Sequence, residues 1–268
     1  MRVEAPRGYI DNLGARRLPR NRVEQFIDIA TTPWWELKAD ADSAILDFGR
    51  GLVEREIFRR SAVASGEGIE RGNGEPVDLF GGFISRSGHY SEPTAAIKAA
   101  GYDARSYNYR TVYNIEPLDV LADQCIDYLE ERADKSGRRG KEIGHSKGGL
   151  LLAATYAKYP DRFEEVVEQV IFIGSPIPNW INRSIATPHL ISQILLRGDD
   201  MRLADRAHEI QRLSRRDKVR INSIGTKDPI IKGEHIGFDS DHFEVNSSHT
   251  ALCHNGDSVV VIGKLLAS

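Results

Sequence analysis

Residues 144–149 read Gly-His-Ser-Lys-Gly-Gly and are followed by the apolar run LLLAAT. A serine with a glycine two residues away on either side is typical of a sharp turn between a strand and a helix, where the strained backbone leaves little room for Cβ atoms. Such a turn presents the hydroxyl at the edge of a sheet, within reach of a histidine. The spacing therefore marks Ser146 as a candidate nucleophile, although an ordinary glycine-rich turn that opens a helix has the same pattern.

The composition fits one α/β domain with an appendage. The chain has 268 residues, 40% of them hydrophobic, which is enough for a sizeable core. A formal net charge of -3 gives no electrostatic reason to expect binding to nucleic acid or to an anionic membrane. No apolar run reaches the length of a membrane span, and residues 1–17 lack the apolar core of a secretion signal. Two isolated cysteines, Cys125 and Cys253, fit reduced thiols, so we expect a cytoplasmic protein.

The chain divides into a polar N-terminal extension and a region of alternating strand and helix patterns. Within the arginine-rich residues 1–70, residues 42–60 carry apolar side chains near helical spacing, which predicts a helix. These apolar positions are Ile45, Phe48, Leu52 and Ile57. From residue 76 onward the alternation predicts a parallel sheet with helices on both faces. We therefore predict a helical extension over residues 1–70 and an α/β domain over residues 71–268.

A serine nucleophile needs a base within hydrogen-bond distance and an acid that orients the base. Asp228 is the candidate acid because it follows the predicted strand over residues 219–225, although an aspartate before a proline also fits an ordinary turn. His249 is the candidate base. We assign it in preference to the other seven histidines, because it follows the strand predicted to end near Asn246 and residues 247–252 run toward the last predicted helix.

Two backbone N–H groups are needed to stabilise the negative charge that develops on the substrate oxygen. Lys147, the residue after the serine, is the first candidate donor, and only its backbone N–H is assigned. Phe83 is the second, because it lies in the loop after the predicted strand over residues 76–82. His89, further along that loop, is a candidate pocket residue.

Five segments in this order resemble the α/β-hydrolase fold, and they look most like those of bacterial lipases and esterases. They are residues 76–83, residues 144–149, residues 173–176 (IGSP), residues 225–228 (GTKD) and residues 248–250 (SHT). The resemblance covers about residues 75–268. It implies a mostly parallel central sheet flanked by helices, with the serine, acid, base and two oxyanion donors named above in those roles.

A long connection follows the strand that ends near residue 174. Between residues 176 and 218 lie about 40 residues, well above the connections of about 2–6 residues typical of α/β units. In the fold that the chain resembles, an insertion at this point covers the serine. We predict a helical cap over about residues 177–217 that shapes the substrate pocket, with a packing subdomain without substrate contact as the alternative. The candidate pocket residues there are Ile177, Trp180 and Ile181.

These residues together predict a serine hydrolase that cleaves a carboxylic ester of a hydrophobic acyl group through an acyl-enzyme. An acyltransferase or a thioesterase would use the same triad. A non-catalytic hydrolase-fold protein that binds a hydrophobic ligand or partner is the alternative from a different class. We expect no cofactor, and no metal either, because the histidine- and acid-rich residues 235–254 lack the ligand spacing of a metal site. The sequence does not determine the oligomeric state.

Charged residues occupy the two strands predicted to lie at the centre of the sheet. The strand before the serine contains Lys141 and Glu142, and its predicted neighbour contains Asp78. Because buried charges are costly unless they are paired, we predict an ion pair between Asp78 and Lys141 across the two strands. A short strand whose charged side chains point into solvent is the alternative.

Overall fold

A computed structural model of the chain describes residues 34–82, 85, 87–109, 116–175, 218–225 and 241–268. Six strands form one sheet. They are β1 (Pro76–Phe80), β2 (Asp103–Ser106), β3 (Gly140–His145), β4 (Val167–Ile173), β5 (Arg220–Gly225) and β6 (Asp241–Glu244). Their order is β2-β1-β3-β4-β5-β6, and every neighbouring pair is parallel. The predicted parallel sheet is therefore present, with β3 and β4 at its centre.

Helices cover both faces of the sheet. They are α1 (Trp34–Arg59), α2 (Ser91–Ala99), α3 (Leu118–Ser136), α4 (Lys147–Lys158), α5 (Pro160–Val166) and α6 (Gly256–Ala267). Alternate residues of β4 point to opposite faces, so Val170 and Phe172 pack with α3, α4 and α5, whereas Ile171 and Ile173 pack with α2 and α6. Phe58, near the end of α1, is buried in the second of these cores. None of the described helices has the length and apolar character needed to cross a membrane.

The predicted ion pair between Asp78 and Lys141 is wrong. In the parallel register of β1 and β3, Asp78 is aligned with Glu142, and Val77 is aligned with Lys141. The Lys141 side chain therefore leaves the sheet on the face opposite to Asp78. Its Nζ donates a hydrogen bond to the main-chain carbonyl of Leu266 in α6.

Asp78 is paired with Arg132 of α3 instead. Arg132 Nε lies 2.9 Å from Asp78 Oδ2, and Arg132 Nη1 lies 2.7 Å from Asp103 Oδ2 on β2. The Tyr128 hydroxyl donates to Asp78 Oδ1 at 2.6 Å. Burial raises the pKa of Asp78, while the hydrogen bonds from Arg132 and Tyr128 oppose that rise. The charge on β1 is thus stabilised by a helix and not by the neighbouring strand.

Glu142 is a second buried carboxyl beside this pair. It is 1% exposed, and no described residue gives its Oε2 a hydrogen bond. Burial and the nearby charge of Asp78 raise the pKa of Glu142 well above its ordinary value. This carboxyl therefore keeps its proton to a higher pH than an exposed glutamate does. Asp78, Asp103, Tyr128, Arg132 and Glu142 are called the buried acid cluster below.

Candidate active site

Ser146 lies between the carboxyl end of β3 and the first residue of α4. Its φ of 52° and ψ of -118° make it the one residue other than glycine with a positive φ in the described part of the chain. An L side chain adopts this conformation at a cost of about 1–3 kcal/mol. The Ser146 N–H still donates to the Ile173 carbonyl of β4 at 2.9 Å, so the chain turns sharply at the carboxyl end of the sheet, where Ser146 is half-buried.

Close backbone packing explains the glycines around the serine. A Cβ on Gly144 would lie 2.5 Å from Gly149 Cα, and a Cβ on Gly148 would overlap the carbonyl oxygen of Phe80. A Cβ on Gly149 would overlap Ser175 Oγ, beyond the end of β4. Only glycine therefore lets the start of α4 lie against the ends of the central strands.

His249 reaches the serine from the loop between β6 and α6. Its Nε2 lies 3.0 Å from Ser146 Oγ, and the residue is 6% exposed. The ring packs against Gly174, where a Cβ would lie 3.3 Å from His249 Nδ1. A neutral imidazole at this distance can accept the hydroxyl proton and so activate the serine. The structure thus brings together the two residues that the sequence predicts as nucleophile and base.

Solved structures of other proteins share this architecture. The mature lipase BlEst2 of Bacillus licheniformis matches with a TM-score of 0.51 at 13% identity, over 74% of this chain and 94% of that chain. Lipase B of Aspergillus fumigatus also matches with a TM-score of 0.51, at 15% identity, over 73% of this chain and 53% of that chain. The chain has the α/β-hydrolase fold. No family model and no curated protein matches the sequence, and at these identities the likeness extends to the fold alone.

Several predicted site residues of this α/β-hydrolase fold lie outside the described residues, and their roles stay predictions. They are Phe83, Ile177, Trp180, Ile181 and Asp228. The predicted cap over about residues 177–217 lies outside them as well. His89 is described: its side chain is exposed, and its carbonyl accepts a hydrogen bond from His254 Nε2 at 2.7 Å. Its predicted place in the pocket stays a prediction.

Lys147 and Gly82, the residue before the predicted donor Phe83, lie beside the serine. Lys147 is the first residue of α4 and directly follows the serine. Its side chain turns away, since Nζ donates to the Glu116 carbonyl at 3.1 Å. A Cβ on Gly82 would lie 3.1 Å from Ser146 Cβ, so the loop after β1 passes directly over the serine. This is where a loop that supplies the second oxyanion donor has to lie.

A hydrogen-bonded chain that the sequence analysis missed joins that loop to the histidine. The Gly82 N–H donates to the Tyr90 hydroxyl at 2.8 Å, and this hydroxyl lies 2.8 Å from His145 Nδ1. His145 Nε2 lies 3.0 Å from the His249 carbonyl. Because a carbonyl only accepts, Nε2 carries the ring proton and Nδ1 accepts from Tyr90. Burial raises the pKa of Tyr90, which keeps this hydroxyl protonated. His145 has a sequence signal, its place before the serine, but Tyr90 has none.

His254 is a buried histidine with a different role. Burial, assisted by the charge of Arg55, lowers its pKa to about 4, so the ring is neutral near pH 7. Its Nε2 donates to the His89 carbonyl, and the ring packs edge-on against Phe58 at 6.4 Å between centroids. His254 therefore joins α1 to the domain and is not placed to act as the base.

Proposed function

We propose that this protein is a serine hydrolase that cleaves a carboxylic ester of a hydrophobic acyl group through an acyl-enzyme intermediate. The observation that carries the proposal is the 3.0 Å separation of Ser146 Oγ and His249 Nε2 at the tip of a strained strand–helix turn. The lipases that share the fold do not determine the activity, because one fold supports many functions. The proposal therefore rests on the paired hydroxyl and imidazole.

In the first half of the proposed reaction, Ser146 Oγ attacks the ester carbonyl carbon while His249 Nε2 takes the hydroxyl proton. The His249 ring then carries protons on both nitrogens, and we assign Asp228 as the acid that accepts from Nδ1. The backbone N–H groups of Lys147 and Phe83 are assigned to the negative charge on the former carbonyl oxygen.

In the second half, the tetrahedral intermediate collapses. The bond from the carbonyl carbon to the alcohol oxygen breaks, and His249 Nε2 gives its proton to that oxygen. A water molecule then attacks the acyl-enzyme, gives a proton to His249 and releases the carboxylic acid. Ser146 Oγ recovers its proton, so atoms and charge balance over the cycle.

The apolar character of residues 177–196 supports a hydrophobic acyl group. We assign Ile177, Trp180 and Ile181 to the wall of the acyl pocket. This assignment follows from the sequence and from the position of the segment, which begins two residues after Ser175, beyond the carboxyl end of β4.

The first experiment treats the folded protein with a fluorophosphonate probe and measures the intact mass. We expect one adduct per chain, formed as Ser146 Oγ displaces fluoride, and no adduct on Ser146→Ala or His249→Ala.

A panel of p-nitrophenyl esters of increasing acyl length then gives the substrate preference. Asp228→Asn should lower kcat by about 10³–10⁴-fold if this residue orients the base. A folded wild-type protein that forms no adduct would contradict the proposal and favour a non-catalytic ligand-binding protein.

A further inference from the structure

Helix α1 holds the loop that carries His249 with one polar face. Asp47, Arg50, Gly51 and Glu54 follow one another at helical spacing, so they share one side of the helix. All four of these residues face residues 246–250, the histidine loop. The contact joins parts of the chain that are about 200 residues apart, so no local sequence pattern indicates it.

Asp47 binds the backbone of the histidine itself. It is 4% exposed, its Oδ1 accepts the His249 N–H at 2.8 Å, and its Oδ2 accepts the Thr250 N–H at 3.2 Å. The Thr250 hydroxyl also lies 3.2 Å from Oδ2. One carboxylate thus bridges two successive peptide N–H groups. This fixes the peptide groups on both sides of the His249 Cα and with them the direction in which the His249 side chain leaves the backbone.

Glu54 binds the residues just before the histidine. It accepts from the Ser247 hydroxyl at 2.5 Å and from the Ser248 N–H at 3.1 Å. Between the two carboxylates, Gly51 lets the loop approach the helix closely, because a Cβ there would overlap Thr250 Oγ1. The helix therefore fits this loop both by the missing side chain at Gly51 and by the carboxylates of Asp47 and Glu54.

We propose that α1 belongs to the catalytic apparatus, with Asp47 as a positioning residue that holds the His249 ring at its distance from Ser146 Oγ. This inference rests on the proposed function. It extends the active site beyond the predicted α/β domain, into the segment that the sequence predicts as a separate helical extension. A displacement of about 1 Å at a reacting group can lower a rate by about 100-fold, so the two hydrogen bonds of Asp47 bear directly on turnover.

The test compares Asp47→Ala and Asp47→Asn with the wild-type full chain, using phosphonate labelling and ester kinetics. For Asp47→Ala we expect a kcat and an inactivation rate constant about 10–100-fold lower, with KM unchanged and labelling still reaching one adduct per chain. Asp47→Asn keeps one acceptor, so its kcat and its inactivation rate constant should lie between those of Asp47→Ala and those of the wild type. Glu56→Ala removes a carboxylate of the same helix that contacts Arg59 and Arg60 instead of the loop, and it should react like the wild type.

The stoichiometry separates positioning from a purely structural role. A destabilised protein would show a smaller labelled fraction with an unchanged rate constant in the folded molecules, and that result would overturn the proposal. So would wild-type kinetics in Asp47→Ala. A wild-type protein that reacts with neither probe nor ester would overturn the proposed function and this inference together. If the wild type reacts and Asp47→Ala reacts at the same rate, only the positioning role of Asp47 is overturned.

The opposite face of α1 is apolar and exposed, which is an independent observation. Six large hydrophobic side chains on this outer face are between 56% and 73% exposed. They are Ile45, Leu46, Phe48, Leu52, Val53 and Ile57. Gly49 lies among them, and the space around its missing Cβ is open. Contiguous apolar patches of this kind mark interaction sites.

The charges at the two ends of the outer face favour a second copy of this chain as its occupant. Asp42 is exposed toward the N-terminal end of α1, and Arg59 and Arg60 are exposed at its C-terminal end. Two such helices packed antiparallel would place each acidic end beside a basic end. An anionic surface is a poorer fit, because the chain has a formal net charge of -3.

We propose that the outer face forms a two-fold symmetric, antiparallel helix pair with a second copy. A two-fold contact buries the same patch on both chains, and Gly49 allows the two backbones to approach each other closely.

Sedimentation velocity over a range of concentrations tests this. We expect a wild-type dimer that becomes monomeric in Leu52→Glu and Ile45→Glu, without loss of thermal stability in the monomer, because both positions are exposed in the single chain. Val120→Glu, at another exposed apolar position on α3, should leave the dimer intact. A wild type that stays monomeric at all concentrations would overturn the proposal and assign the face to another part of the chain or to a different partner. A dimer that survives both substitutions would overturn it as well.

Discussion

The carboxyl ends of β1 and β3 and the middle of the same two strands hold their polar groups in different ways. At the carboxyl ends, the Gly82 N–H, the Tyr90 hydroxyl, His145 and the His249 carbonyl form one continuous chain of hydrogen bonds. In the middle, two carboxyls on neighbouring strands lie close to one guanidinium, and Glu142 Oε2 has no hydrogen bond from any described residue.

The difference shows what each region depends on. Around Ser146 the geometry is set by backbone contacts that only glycine permits, so a single added carbon should disturb it. In the buried acid cluster the geometry is set by charge balance, because a buried charge that loses its partner is far costlier than a lost contact at the surface. Substitutions in the two regions should therefore destabilise the protein for different reasons, by steric overlap around Ser146 and by an unpaired charge in the buried acid cluster.

The largest effect is expected at Arg132. Arg132→Leu leaves the Asp78 carboxylate buried without its partner, and the free energy of unfolding at pH 7 should fall by about 3–5 kcal/mol in urea titrations. Arg105→Leu is the matched control, because Arg105 forms an exposed ion pair with Asp103 that is worth about 0–1 kcal/mol. Equal losses in the two variants would contradict a dominant role for the buried charge.

The next largest effect is expected at the turn. Gly148→Ala forces a Cβ against the Phe80 carbonyl and should lower the unfolding free energy by about 2–3 kcal/mol. It should also slow phosphonate labelling of the molecules that remain folded, because α4 is pushed away from β1. Gly88→Ala, where nothing lies within 4 Å of the new carbon, should leave both quantities unchanged. A Gly148→Ala protein with wild-type labelling would show that the close contact does not set the position of Ser146.

The turn around Ser146 could be predicted from the sequence, whereas the partner of Asp78 in the middle of β1 could not, for a physical reason. The glycines around Ser146 act within a few residues, so their spacing reports the local turn. The partner of Asp78 depends on the register that aligns it with Glu142 and on the packing of α3, which brings Arg132 from 54 residues away. The spacing of residues along the sequence gives neither the register of the strands nor the packing of α3. The predicted pair with Lys141 is wrong for that reason.

The N-terminal helix illustrates the same limit. The spacing of Ile45 and Leu52 predicts a helix, and the helix is present. These apolar residues face away from the domain, while the polar residues Asp47 and Glu54 face inward. Amphipathic spacing identifies two faces but does not say which one the rest of the chain will cover.

A smaller effect is expected at Tyr90. Tyr90→Phe removes the hydroxyl that accepts from Gly82 and donates to His145, so each of these two buried residues loses one hydrogen bond. The unfolding free energy should fall by about 1–3 kcal/mol, and kcat should fall while KM holds. Tyr102→Phe is the control, because no described residue gives the buried Tyr102 hydroxyl a hydrogen bond, so its loss should cost nothing. Equal losses of stability in the two variants would show that the hydrogen bonds of the Tyr90 hydroxyl do not contribute to stability.

The smallest effect is expected at Glu142, and its sign depends on pH. The pKa of Glu142 is raised well above its ordinary value, mainly by burial and then by Asp78. Between the unfolded pKa of about 4.3 and the raised native value, the native state holds a proton that the unfolded state has lost. The unfolding free energy of the wild type should therefore decrease as pH rises through this range, by up to about 1.4 kcal/mol per pH unit from this group.

Glu142→Gln removes that dependence because the amide does not titrate. The variant should match the wild type at pH 4 and be the more stable of the two at pH 8, in urea titrations of both proteins at each pH. Taking the difference between the two proteins cancels the titration of every other group that they share. A constant difference between pH 4 and pH 8 would mean that Glu142 is ionised in the native state. The two carboxylates would then both be charged beside Arg132, and the contrast between the two regions would rest on the hydrogen bonds alone.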